Sequence, residues 1–126
     1  MLYNIQQTKA VITITNYYYI TSDKKLADGN SSLDFIETEE WMIPCFDYPV
    51  QREIVNGVEK DWELRELLQY IRNHTAAHDT CTVQIAHLVN PTGLKIQDKS
   101  NILLHDIVEP KQLLLAEGQL LTINKV

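Results

Sequence analysis

The chain has one stretch with a clear helical period, Asp61-Trp62-Glu63-Leu64-Arg65-Glu66-Leu67-Leu68-Gln69-Tyr70-Ile71-Arg72. Apolar residues recur in it at intervals of three and four, which places on one face Leu64, Leu67, Leu68 and Ile71. Asp61 is the predicted N-cap, because its carboxylate can accept the free backbone N–H groups of the first turn. We therefore predict one amphipathic helix over about residues 61–74 that packs against a sheet.

The rest of the sequence is typical of short strands separated by turns. The predicted strands are residues 9–21, 33–37, 50–55, 81–89, 94–97, 102–108, 113–116 and 119–124. Eight short strands and one helix predict a mainly β (α+β) protein, in which an antiparallel β-sandwich or partial barrel is flanked by the helix. We expect residues 1–126 to form a single domain, since a chain of this length can bury one sufficient core.

Turn residues mark the boundaries between these strands. Asn56-Gly57 predicts a type I′ hairpin turn, and the residues 28–30 and 90–93 predict two further turns. The last third of the chain is expected to form a meander. Prolines at 44 and 49 disfavour a central strand, so an irregular segment or an edge strand is expected there. The aromatic residues expected to anchor it to the core are Trp41, Phe46 and Tyr48.

The net charge of −6 is unevenly distributed along the chain. Residues 28–66 contain eleven acidic and three basic residues, whereas the remainder contains six acidic and eight basic ones. This balance argues against nucleic-acid binding, because an acidic surface repels phosphates. No run is long and apolar enough to span a membrane, and residues 1–7 do not resemble a secretory signal. A cytoplasmic protein, or one incorporated into a particle without a signal peptide, is therefore expected.

The sequence offers one chemical cluster, at residues 74–81. If the helix extends to residue 78, His74 and His78 face the same way, and Asp79 or Cys81 could add a metal ligand. The spacing lacks the glutamate of a His-Glu-x-x-His motif and the paired cysteines of a zinc knuckle, so a helix end explains it equally well. Cys45 and Cys81 are expected to be free, buried thiols. No catalytic residue, metal, cofactor or small-molecule ligand is predicted.

The remaining candidate sites are surfaces and strand edges that could contact another protein. Tyr17 and Tyr19 could form a recognition patch, because tyrosine offers a rigid contact surface with a polar tip. Leucines at 113, 114, 115, 120 and 121 would put apolar side chains on both faces of a predicted hairpin. Either another layer of the domain or a second subunit must cover such a hairpin. Substitutions at Leu114 and Leu115 are expected to show which of the two covers it.

The leading hypothesis is a non-enzymatic structural or assembly subunit that acts through protein–protein contacts. By analogy of fold alone, a β-sandwich with one helix is an architecture of subunits in phage tails and related particles, so a virion component is one form of this hypothesis. The alternative is a small acidic inhibitor or immunity-type protein, in which Glu37, Glu39 and Glu40 help to mask a basic site on a partner. A third hypothesis, a metal-dependent enzyme, depends only on residues 74–81.

Overall fold

The computed structural model describes residues 17–27, 32–89 and 95–126. Its strands are β1 (Tyr17–Ser22), β2 (Phe35–Glu37), β3 (Gln51–Ile54), β4 (Cys81–Leu88), β5 (Asp98–Leu103) and β6 (Gln119–Lys125). One α-helix, α1, spans Asp61–Ala76, and two short 3₁₀ helices span Leu104–Asp106 and Pro110–Leu113. The described part of the chain is thus mostly β with one α-helix, as the sequence predicts.

The six strands form one mixed sheet in the order β2-β3-β1-β4-β6-β5. Four neighbouring pairs are antiparallel, whereas β5 runs parallel to β6. A parallel pair requires a long connection, and the segment 104–118 supplies it with the two 3₁₀ helices. The predicted C-terminal meander is therefore wrong, because β6 lies between β4 and β5.

The predicted sandwich or barrel and the count of eight strands are not confirmed, since the described residues form six strands in a single sheet. The predicted strand 113–116 starts inside a 3₁₀ helix and continues without regular structure. The polar residues 98–101, which the sequence assigns to a break between strands, form most of β5. Residues 9–16 of the first predicted strand, and the predicted turns at 28–30 and 90–93, lie outside the described residues.

Helix α1 covers one face of the sheet with the predicted apolar stripe. The side chains of this stripe are buried in a core that also contains residues from four strands, Tyr18, Ile20, Ile54, Val83, Ile85, Leu121 and Ile123. Two buried residues of the β5–β6 connection, Leu113 and Leu115, belong to the same core. The helical period and the burial therefore agree, and the prediction of the helix is confirmed to within two residues at its C-terminal end.

The start of α1 differs from the prediction. Lys60 occupies the N-cap position and Asp61 is the first helical residue. The first turn is capped by Glu63 instead, whose Oε1 accepts hydrogen bonds from the backbone N–H groups of Glu59 (3.0 Å) and Lys60 (2.8 Å). Asn56 and Gly57 both have a φ of 67°, but the chain continues from them into α1, so the predicted hairpin is wrong.

The opposite face of the sheet is covered by the irregular segment 38–50. Ile43 and Phe46 of this segment are buried against three strands, on side chains that include Tyr19, Ala86 and Leu120. The prediction that Pro44 and Pro49 lie in an irregular segment is confirmed. Both faces of the central strands are thus covered by the chain itself.

Buried polar side chains of the sheet hold this segment in place. The Gln51 amide accepts a hydrogen bond from the backbone N–H of Ile43 (2.8 Å) and donates to the carbonyls of Ile43 and Tyr48 (both 3.1 Å). The Gln84 amide accepts from the backbone N–H of Asp47 (2.9 Å) and donates to its carboxylate (2.8 Å). The segment has little regular structure of its own, so these bonds satisfy backbone groups that would otherwise be buried without partners.

Candidate interaction surface

The two tyrosines predicted to form a recognition patch differ in their exposure. Tyr19 is only 1% exposed because the segment 38–50 lies over it. Its burial, with smaller contributions from Glu53 and Tyr17, raises the pKa of its hydroxyl to about 12. Tyr17 stacks on it with 6.4 Å between ring centroids and keeps part of its surface in solvent. A partner can therefore reach Tyr17 but not Tyr19 in this conformation.

The third tyrosine of β1 has a structural role. The Tyr18 hydroxyl accepts a hydrogen bond from the backbone N–H of Leu115 (2.8 Å) and donates to the carbonyl of Leu113 (3.3 Å). Burial raises the pKa of this hydroxyl to about 12, although the bond from Leu115 acts in the opposite direction. Tyr18 thereby ties the β5–β6 connection to the centre of the sheet.

The leucines at 113–115 do not form a strand that pairs with β6. Leu113 and Leu115 are buried in the core under α1, while the side chain of Leu114 between them is 51% exposed. Leu120 and Leu121 are buried on opposite faces of the sheet. Layers of the domain itself therefore cover both faces, and the argument that a second subunit must cover them loses its basis.

The three carboxylates singled out in the sequence are all exposed. Glu37 lies on the edge strand β2, where its carboxylate is 3.7 Å from the Arg52 guanidinium. Such an exposed pair contributes at most about 1 kcal/mol. Within the described part of the chain, no cation lies within ion-pair distance of Glu39 or Glu40. These two carboxylates are available to a partner.

Trp41 follows these carboxylates directly, and it was expected to anchor the segment to the core. That prediction is wrong, because the side chain of Trp41 is 52% exposed whereas Phe46 is buried. Its backbone has a φ of 59°, in the left-handed region that a bulky residue rarely adopts. The sequence contains no signal for this outcome, since both aromatic residues belong to the same apolar run.

Hydrogen bonds on both sides fix the backbone around Trp41. Its N–H donates to the carbonyl of Pro49 (3.0 Å), and the N–H of Met42 donates to the carbonyl of Glu39 (3.2 Å). The Thr38 hydroxyl donates to the carbonyl of Gln51 (3.1 Å). Five of the six residues from 36 to 41 are exposed. We call these five the Trp41 surface: Ile36, Glu37, Glu39, Glu40 and Trp41.

The chemical cluster at the end of α1 comes together only in part. The His74 Nε2 lies 2.8 Å from the hydroxyl of Ser22, and that hydroxyl lies 3.7 Å from the Cys81 sulfur. Ser22, which the sequence did not single out, is thus the link between α1 and the sheet. The His78 ring centroid is 6.3 Å from that of His74, and Asp79 is exposed. Helix α1 ends before His78, at Ala76.

The electrostatics of this cluster suit a structural role. Burial lowers the pKa of His74, and the neighbouring His78 lowers it further, while Asp23 acts in the opposite direction. Burial raises the pKa of the Cys81 thiol, so the nucleophilic thiolate is disfavoured. Both cysteines are free, as predicted, but Cys45 is only partly buried. Among the described residues, no group of three or more His, Cys, Asp or Glu side chains is arranged to hold a metal ion.

Comparisons with known proteins identify no relative of this chain. No protein-family model matches the chain, and no curated protein and no solved structure matches it either. In the parts of the chain that the structure covers, no helix has the length and apolar character needed to cross a bilayer.

Proposed function

We propose that this protein is a non-enzymatic binding subunit that docks a basic protein partner on the Trp41 surface. The observation that supports this proposal is the half-exposed ring of Trp41, held on a left-handed backbone beside three exposed carboxylates. Of the contact residues that the sequence indicated, Glu37, Glu39 and Glu40 belong to this surface, whereas Tyr19 and Leu115 are buried within the chain.

An exposed tryptophan on a fixed backbone is well suited to binding. Tryptophan is enriched among the residues that contribute most to protein–protein affinity, since its large ring loses much water-exposed area on docking. The ordering cost is small when the binding segment is already fixed. Here the amides of Gln51 and Gln84 and the backbone bonds around Trp41 fix it before any partner arrives.

The charge of the Trp41 surface selects the class of partner. Within one short exposed stretch the chain carries three carboxylates, Glu37, Glu39 and Glu40, between the apolar residues Ile36 and Trp41. Carboxylates at the rim of an interface accelerate association with a basic surface and disfavour acidic competitors. The net charge of −6 of the whole chain acts in the same direction. The partner is therefore a protein with a basic surface and an apolar pocket that takes the indole ring.

Two biological roles use such a surface. In an assembly subunit, including a subunit of a phage-tail-like particle, the basic surface belongs to a neighbouring subunit of the particle. In an acidic inhibitor or immunity-type protein, it belongs to the active region of a soluble partner. Light scattering on the purified complex distinguishes these two roles. The mass of a growing particle rises with protein concentration, whereas the mass of an inhibitor complex stays fixed.

The test compares partner retention by the wild-type protein and by Trp41→Ala. Each protein is immobilised, exposed to extract of its source cells, and the retained proteins are then purified and titrated in solution. We expect a basic partner that binds the wild type, loses at least about tenfold in affinity with Trp41→Ala, and weakens as salt rises. Trp62→Ala is the matched control, since Trp62 is also exposed but lies at the start of α1.

Retention of every partner equally by the wild type and Trp41→Ala would overturn the proposal. A partner whose affinity falls with Trp62→Ala but not with Trp41→Ala would also overturn it, because the contact would then lie at α1. Circular dichroism of both variants establishes that each one is folded before the titration.

A further inference from the structure

A cleft of about 510 Å³ lies beside the C-terminal half of α1, and none of the residues 36–41 lines it. Its walls come from the C-terminal half of α1, the 3₁₀ helix Leu104–Asp106 with the residues after it, and the end of β6. The residues that line it are Arg72, Leu104, His105, Ile107, Val108, Lys125 and Val126. A volume of this size is typical of sites for small molecules.

Two permanent cations line this cleft, although the protein is acidic overall. The Arg72 Nη2 donates a hydrogen bond to the carbonyl of Ile107 (3.3 Å), and the Lys125 Nζ donates to the carbonyl of Thr75 (2.9 Å) near the end of α1. Among the described residues, neither cation has a carboxylate within ion-pair distance. Each side chain has further N–H donors beyond the one that these bonds use.

Apart from the ring of His105, the rest of the wall is aliphatic. Leu104, Ile107 and Val108 contribute aliphatic surface, and Val108 is largely exposed to solvent. The exposed His105 ring lies 3.3 Å from the carboxylate of Asp106, which does not line the cleft. No acidic side chain is among the residues that form the described wall. The cleft thus combines positive charge with an uncovered aliphatic patch.

We infer that this cleft binds a small amphipathic anion, in the form of a carboxylate on a short aliphatic chain. The carboxylate accepts charge-assisted hydrogen bonds from Arg72 and Lys125, the kind of bond that contributes most per contact. The aliphatic chain covers Leu104 and Val108 and removes their surface from water. A neutral ligand would leave the two cations uncompensated, and a cation would be repelled by them.

The test is isothermal titration of the full chain with octanoate. Acetate serves as the probe that has the charge without the chain, and octanol as the probe that has the chain without the charge. We expect saturable binding of octanoate and at least about tenfold weaker binding of the other two, because each lacks one of the two recognised parts.

Variants assign the binding to this cleft. Arg72→Gln and Lys125→Gln each remove one cation, and each is expected to weaken octanoate binding by about tenfold. Lys99→Gln is the matched control, since Lys99 is an exposed cation on β5 that does not line the cleft. Arg72→Lys keeps the charge and is expected to recover part of the affinity, which separates a binding role from a loss of the bond to Ile107.

Equal affinity for octanoate and octanol would overturn the inference, and so would unchanged affinity in Arg72→Gln and Lys125→Gln. Absence of saturable binding in the millimolar range would also overturn it. None of these outcomes bears on the Trp41 surface, because the two sites share no residue and their tests use different variants.

Discussion

Trp41 and Phe46 show how one residue can depart from the pattern of its neighbours. Both belong to the same apolar run, yet Phe46 is buried against the sheet and Trp41 is half-exposed. The difference comes from the backbone, since a φ of 59° at Trp41 turns its side chain away from the core cluster that Phe46 joins. Such a conformation costs of order 1–3 kcal/mol for a residue with a Cβ atom. The bond from the Trp41 N–H to the carbonyl of Pro49 and the bond from the Thr38 hydroxyl to the carbonyl of Gln51 maintain it.

This conformation predicts an unusual order of stability for two substitutions at one position. We expect Trp41→Gly to be more stable than Trp41→Ala by about 1 kcal/mol, because glycine adopts the left-handed region without steric cost. Both variants remove the ring, so the comparison isolates the backbone. The free energy of unfolding is measured with urea for each variant.

The control is the same pair of substitutions at Gln69, on the exposed face of α1. There the normal order is expected, with alanine more stable than glycine by about 1 kcal/mol. If alanine is also the more stable residue at position 41, the left-handed backbone at Trp41 is contradicted.

Helix α1 has the apolar stripe that the sequence predicts, but its first turn is capped by Glu63, which the sequence did not predict. The apolar period places Glu63 off the stripe, on a face that the sequence assigns to solvent. Its side chain is instead only 8% exposed, because it folds back to accept the N–H groups of Glu59 and Lys60. A carboxylate at the third helical position also interacts favourably with the positive end of the helix dipole.

Replacing Glu63 should therefore destabilise the protein although it lies outside the apolar stripe. We expect Glu63→Ala to lower the free energy of unfolding by about 1–3 kcal/mol, since two partly buried backbone N–H groups lose a charged acceptor. Gln69→Ala, on the exposed face of the same helix, is expected to change it by about 0.5 kcal/mol or less. Equal small effects of the two substitutions in urea unfolding would mean that Glu63 does not cap α1.

At the scale of the whole molecule, the sheet is covered twice by its own chain. Helix α1 and the β5–β6 connection cover one face, and the segment 38–50 covers the other. The interior is therefore complete without a second subunit for the residues that the structure describes. Folding therefore does not require a partner on the proposed Trp41 surface, because that surface contributes little to either core.

The leucines at 114 and 115 test this arrangement. We expect Leu115→Lys to lower the melting temperature by about 10 °C or more, because it introduces a charge into the core under α1. Leu114→Lys is expected to change it by only about 2 °C, since Leu114 already faces solvent. Circular dichroism gives the melting temperatures, and sedimentation velocity is recorded beside them.

We expect the wild type and Leu114→Lys to sediment as the same species. If Leu114→Lys stays folded but dissociates a wild-type oligomer, a second subunit does cover Leu114, and the complete interior described above is contradicted. If Leu115→Lys remains as stable as the wild type, the placement of Leu115 in the core is wrong.

Elements with local signals could be predicted from the order of the residues alone. The helical period of Leu64, Leu67, Leu68 and Ile71 predicted α1, because the spacing of apolar residues requires one face to be buried whatever lies opposite. The apolar and β-branched residues within 81–89 and 119–124 predicted β4 and β6 close to their observed limits. Pro44 and Pro49 predicted an irregular segment, since proline lacks the N–H group that a central strand must donate.

Long-range contacts, by contrast, fix which elements are neighbours and which side chains remain exposed. The parallel pairing of β5 with β6 arises between segments joined by a long connection, and the polar residues 98–101 carry no local signal for it. The exposure of Trp41, the burial of Glu63 and the meeting of His74 with Ser22 all depend on contacts made after the sheet has assembled. Neighbours in the sequence fix local periodicity, but burial is a property of residues that the fold brings together from distant parts of the chain.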